Sequence, residues 1–284
     1  MTEPKTQTLD LPGATLTYDI REAESESSER ALLMIGSPMD ASGFTTLADH
    51  FPDRTVVTYD PRGVGRSPRA DGVTAATPEE HAEDLDRLIS ELDAGPVDIF
   101  ASSGGAVNAL ALVARHPQQV GTLVAHEPPL ATVLPDREEA LAVTEDIHET
   151  YERDGFGSAM AKFIAFTSVR GPTPHDFPTH APNPADFGLP TEDDGRRDHP
   201  LLGPHMVYVS HYEPDFDSLR GASTRIVVAG GAESEAMFPW RAALAVAERL
   251  GAEAVIFPSH HVGFGEQGDP DTFAATLRRV LTDG

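Results

Sequence analysis

The stretch Val97-Asp98-Ile99-Phe100-Ala101-Ser102-Ser103-Gly104-Gly105-Ala106-Val107 decides the fold of this chain. Residues 97–101 read as a buried strand, and from Gly104 the pattern becomes helical until Pro117 stops it near His116. A serine held in so sharp a strand-to-helix turn needs small neighbours two positions before and two after, because strand and helix approach closely there. Ser103 meets that demand through Ala101 and Gly105. Ser102 does not, since Phe100 would fill the crowded position. The same turn without chemistry would be a Gly/Ser helix cap, so the rest of the chain must supply context.

Working outward, short runs rich in Val, Ile, Leu and Thr alternate with stretches of helical spacing, which argues for a parallel sheet covered by helices. Strands are expected at 6–11, 14–21, 31–35, 55–59, 97–101, 121–126, 224–229 and 252–257, an α/β architecture with a mostly parallel eight-stranded sheet. The first two, separated by Pro12-Gly13, read as an antiparallel hairpin at the sheet edge. A helix is expected over Pro78 to Leu92, capped by Thr77, with Glu80 placed to complete a capping box and an apolar stripe of Ala82, Leu85, Leu88, Ile89 and Leu92. A last helix is expected from Pro270 to Leu281.

Between Pro128 and Ser223 the strand rhythm disappears. A helical stretch around Glu138 to Arg153 is followed by a segment rich in Pro, His, Asp and Gly, as expected of a lid or binding loop. The division expected is a core of residues 1–129 and 216–284 with residues 130–215 inserted as a cap.

The turn at Ser103 has companions. Tyr59-Asp60-Pro61-Arg62-Gly63-Val64-Gly65-Arg66-Ser67 follows one expected strand, and Ile35-Gly36-Ser37-Pro38-Met39 follows the one before it. With these the chain resembles the α/β-hydrolase family over nearly its whole length apart from the cap. The resemblance implies a serine nucleophile at Ser103 and an oxyanion hole built from the loop after the earlier strand and from the residue after the nucleophile, here Ser37 and Gly104. Pro38 has no N–H to donate, which favours Ser37 over Met39. Ile35 stands where many members carry histidine. The resemblance also implies a general base on a late loop, and Phe257-Pro258-Ser259-His260-His261-Val262-Gly263-Phe264 offers His261, with His260 as the alternative.

Two glutamates end strands in the order expected of the acid: Glu233 after Gly230-Gly231-Ala232, the commoner family position, and Glu127 in His126-Glu127-Pro128-Pro129. A narrower similarity, of Ser102-Ser103-Gly104 with His126-Glu127-Pro128, is to the zearalenone-type lactone hydrolases, which implies Glu127 and leaves Glu233 as the alternative. The function implied is hydrolysis of a carboxylic ester or lactone of a small hydrophobic molecule through an acyl-enzyme, with no cofactor. The rivals are a cofactor-independent perhydrolase, a non-hydrolytic tailoring enzyme on the same fold, and a ligand-binding protein with a degenerate site. Serine rather than aspartate at position 103 argues against the haloalkane dehalogenases and epoxide hydrolases of the fold.

Composition narrows the remainder. The 284 residues hold 21 Lys and Arg against 46 Asp and Glu, a formal net charge of −25, which repels nucleic acid and anionic membrane surfaces. With no cysteine there is neither a disulfide framework nor a thiolate nucleophile. No segment has the apolar length of a membrane span, and a cytoplasmic protein is expected. The cap holds His175, Asp176, His180, Asp186, Asp194, Asp198, His199, His205 and His211 without a compact ligand motif, so no metal is expected. Phe156, Phe163, Phe166, Tyr208, Tyr212 and Trp240 are expected to pack the cap or line the substrate cavity.

Overall fold

The computed structural model describes residues 3–25, 27–73, 75–177 and 182–283, so His180 lies outside the described residues. Eight strands form one sheet in the order β1-β2-β4-β3-β5-β6-β7-β8. They are β1 (Lys5–Leu11), β2 (Ala14–Arg21), β3 (Leu32–Ile35), β4 (Val56–Asp60), β5 (Val97–Ser102), β6 (Val120–His126), β7 (Arg225–Gly231) and β8 (Val255–Phe257). The β1-β2 hairpin turns at Gly13, whose φ of +78° suits glycine, and β2 also runs antiparallel to β4. From β4 to β8 every pairing is parallel. This is the mostly parallel eight-stranded α/β sheet that the sequence predicts.

The helices are α1 (Thr45–Ala48), α2 (Pro78–Leu92), α3 (Gly104–Arg115), α4 (Arg137–Asp154), α5 (Phe156–Thr167), α6 (Pro204–Ser210), α7 (Phe216–Gly221), α8 (Phe238–Leu250) and α9 (Pro270–Thr282). In α2 the Thr77 side chain accepts the Glu80 N–H, as expected of a cap. The second half of the expected box is replaced: the Glu80 carboxylate turns to Arg62 and Arg69. Asp84 already holds Nε and Nη2 of the buried Arg62, and Glu80 supplies a charged acceptor for the remaining Nη1, a stronger claim on the carboxylate than one backbone donor at a helix end.

Residues 104–113 of α3 are all buried. A helix apolar on every side needs cover on every side. The sheet covers one face through β5 and β6, and α2, α6 and α7 cover the others. Among the described residues, those between β6 and β7 form helices and no strand of the sheet. The segment is not cored separately. Val143, Ile147, Tyr151, Met206 and Val209 belong to the same apolar cluster as Val107, Leu110 and Ile99. A second cluster, with Phe44, Phe51, Phe100, Phe257, Phe264 and Phe273, fills the other face of the sheet.

The turn at the end of β5 shows why position 105 must be small. A Cβ on Gly105 would lie 2.6 Å from the Ile35 carbonyl oxygen and 2.8 Å from the Gly36 Cα. Gly105→Ala is therefore expected to destabilise the fold despite alanine's better helix propensity, by about 1–3 kcal/mol. A thermal melt reads this as a drop of about 2–4 °C for each kcal/mol in a domain of this size.

Candidate active site

Ser103 sits between β5 and α3 with φ 56° and ψ −130°, in a region that non-glycine residues rarely occupy. Its N–H donates to the His126 carbonyl at 3.0 Å and its carbonyl accepts the Ala106 N–H at 2.9 Å. These bonds hold the strained turn in place. Gly104 opens α3, so its N–H has no partner within the helix, and the helix dipole adds positive potential there. A Cβ on Gly104 would meet the Ser37 carbonyl oxygen at 2.5 Å, which brings the loop after β3 directly against this turn.

Glu127 follows β6 with φ +49° and is wholly buried. Its N–H continues the ladder to Ala229 of β7 at 2.9 Å. Its carboxylate is held at both oxygens: Oε1 accepts the Gly231 N–H at 2.8 Å, and Oε2 faces His261 Nδ1 at 2.5 Å. Burial pushes the Glu127 carboxyl up, but the His261 hydrogen bond, the neighbouring imidazoles and the Gly231 N–H together hold it below the usual range. An ionised carboxylate facing Nδ1 fixes the proton on that nitrogen and leaves Nε2 as the basic one.

The other candidates are placed elsewhere. Glu233 is exposed just beyond β7, and its main chain bridges Ser259 and Arg170. His260 is turned into its own loop, with Nδ1 accepting the Val262 N–H and Nε2 facing the Gln267 carbonyl.

Ser103, Gly104, Ser37 and His261 all line one cavity of about 320 Å³. Most of the remaining wall is apolar: Phe163, Phe166, Leu201, Met206, Met237 and Phe238. Phe163 and Phe166 are among the aromatics expected here. Tyr208 is 41% exposed on the outside of α6, and Trp240 packs against Gly230.

A family model described as alpha/beta hydrolase fold matches residues 32–267. The chain belongs to this family. Over 274 residues it is 32% identical to the uncharacterized hydrolase YraK of Bacillus subtilis (strain 168), covering 90% of this chain and 89% of the relative. Among solved structures it is similar to a thermophilic esterase from Thermogutta terrifontis (TM-score 0.65, 20% identity, 99% of each chain covered). It is also similar to the enol-lactonase from Burkholderia xenovorans LB400 (TM-score 0.65, 17% identity, 97% of this chain and 100% of that one). At such identities the two structures speak for the fold alone.

Sequence reasoning missed two features of this α/β hydrolase's site. The wall residues of α6 and α8 carry no local signal, because an apolar residue facing a cavity has the same helical spacing as one facing a core. His205 lay among many cap histidines and gave no sign that it faces Ser37. The cap histidines do not converge: His199 packs against Phe156 with the rings tilted by 44° and their centroids 5.0 Å apart, and His211 faces Thr144. Among the described residues no group of three or more His, Cys, Asp or Glu is placed to hold a metal, and no helix is long and apolar enough to cross a membrane.

His126, next to Glu127, is buried among Phe100, Phe257, Phe264 and Phe273, and neither ring nitrogen has a hydrogen-bond partner. Burial pushes its pKa down to about 4; Glu127 opposes this and His261 adds to it. In the unfolded chain the imidazole titrates near 6.5, so as pH falls the unfolded state takes the proton first. Stability is therefore full above about pH 6.5 and is expected to decline toward pH 4, by about 3 kcal/mol once both values are passed. Denaturant melts of wild type and His126→Leu across this range check it: the variant is expected to lose the share of the slope that His126 supplies.

Proposed function

We propose that this α/β hydrolase cleaves a carboxylic ester or lactone of a small hydrophobic molecule through an acyl-enzyme on Ser103. The observation that carries the reading is the buried Glu127 carboxylate on His261 Nδ1, with His261 and Ser103 lining one apolar cavity. In the reading, His261 Nε2 takes the Ser103 proton as Oγ attacks the carbonyl, and the N–H groups of Ser37 and Gly104 hold the negative oxygen that forms. Collapse expels the alcohol oxygen, which leaves with the proton from His261 and gives a Ser103 acyl ester. Water then repeats the sequence: His261 takes its proton, the new tetrahedral intermediate collapses, and Ser103 recovers its proton as the acid departs. Glu127 stabilises the imidazolium at each stage without taking the proton.

The apolar wall and modest volume favour an acyl or lactone moiety without charge, and the burial of that moiety supplies binding energy. The esterase and enol-lactonase of the same fold are in keeping with this chemistry. The segment 130–215, which contributes Phe163, Phe166, Leu201 and Met206 to the cavity, acts as its cap in this reading.

The test is labelling with a fluorophosphonate, followed by turnover of a panel of aryl esters and macrocyclic lactones. Stoichiometric labelling at Ser103 with ester or lactone turnover is expected. A wild-type protein that does not label would exclude the reading, and labelling at another residue would move the nucleophile.

A further inference from the structure

His205 stands at the first turn of α6, in the segment between β6 and β7, and is only 7% exposed. Its Nε2 lies 3.5 Å from Ser37 Oγ and would lie 3.1 Å from a Cβ on Gly104. It therefore covers both residues whose N–H groups face the developing oxyanion in the acyl-enzyme reading. Ser37 and His205 also form a partition. Both line the apolar cavity on one side, and both line a second cavity of about 340 Å³ on the other, with Arg62, Arg69, Arg197 and His199.

The imidazole is built to stay neutral. Burial pushes its pKa down to about 4, against a smaller opposing pull from the Ser37 backbone. Behind it His81 packs edge-on at 6.3 Å between ring centroids, itself buried with Nδ1 unpartnered and held well below the ordinary histidine range by burial, His205 and the nearby arginines. A neutral ring has one N–H donor, enough to hold the Ser37 segment, and it adds no full charge that would clash with an apolar substrate.

We propose that His205 is a positioning residue for the oxyanion site: its imidazole holds Ser37 against the start of α3 from the cap side, so that the Ser37 N–H is aimed before substrate arrives. The proposal rests on the serine-hydrolase reading. It ties the inserted helix α6 to the catalytic step rather than to binding alone. Donors aimed in advance act on the transition state and leave ground-state binding nearly unchanged.

The experiment compares wild type, His205→Ala and His205→Gln, the last keeping a donor of similar reach. Expected for His205→Ala is a roughly ten- to hundredfold loss in kcat for an aryl ester with KM within about twofold. Affinity for a trifluoromethyl ketone, which forms a tetrahedral adduct with the serine, should fall by the same factor, while the product acid binds within about twofold of wild type. His205→Gln should recover most of the loss. A purely structural role would lower both affinities together and leave His205→Gln no better than His205→Ala, and that result would overturn the proposal, as would wild-type kcat in both variants. Fluorophosphonate labelling separates the two failures: if wild type does not label, the hydrolase reading falls and takes this proposal with it. If wild type labels and the variants behave as structural lesions, only the proposal falls.

Discussion

Ser103→Ala is expected to lower kcat for an aryl ester by on the order of 10⁴- to 10⁶-fold and to abolish fluorophosphonate labelling, with KM within about threefold. The size follows from what remains. In the proposed mechanism no acyl-enzyme forms without Oγ, and turnover would fall back on the proposed oxyanion donors and on the cavity, for a residual acceleration of about 10³–10⁴ over water. Substrate still binds, because the apolar wall is untouched. The fold should survive, because the turn is held by main-chain bonds to His126 and Ala106 rather than by the hydroxyl. Steady-state kinetics and a thermal melt on the same preparation check all three parts, and retained activity would remove Ser103 from the chemistry.

The second large effect belongs to Glu127. Glu127→Gln is expected to cost about 10³- to 10⁴-fold in kcat with little change in KM, while Glu233→Gln stays within about twofold of wild type. The amide is nearly isosteric and Oε1 can still accept the Gly231 N–H, so shape is kept. What is lost is the negative charge that fixes the proton on His261 Nδ1 and offsets the imidazolium. A carboxylate this deeply buried is worth most to a charge that appears only in the transition state. Glu233 is exposed, and its charge is screened by water before it can act on the ring. Kinetics of the two variants decide between the glutamates, and loss at Glu233→Gln with retention at Glu127→Gln would reverse the assignment.

Much of this architecture could be read before the structure. Strand periodicity placed all eight strands to within a few residues, because the parallel strands β3 to β8 are short apolar runs between turn residues and the antiparallel β1 and β2 flank a Pro-Gly turn. The steric demand at Ala101 and Gly105 singled out Ser103 over Ser102, and the clash at Gly105 is that demand in atomic terms. The choice between Glu127 and Glu233 could not be made from local sequence, since both end strands. It depends on a positive φ at Glu127 that aims its carboxylate across β7, a backbone conformation no local pattern announces. The shared core of the 130–215 segment was equally illegible. Its apolar residues have ordinary helical spacing, and only contacts between distant segments show that they close over α3 rather than over one another.

Of the five non-glycine residues with left-handed backbone among the described residues, three cluster here: Ser103, Glu127 and Ser259, the last two positions before His261. Each such conformation costs about 1–3 kcal/mol in isolation. The site is thus the part of the molecule with most to gain by rearranging, and main-chain bonds within it, together with the two apolar clusters flanking the sheet, oppose this. Selection for stability alone would therefore erode this candidate site first, through substitutions that let these three turns relax. A more heat-resistant descendant that keeps this geometry would have to find its added stability in the helices and the hairpin, far from these three turns.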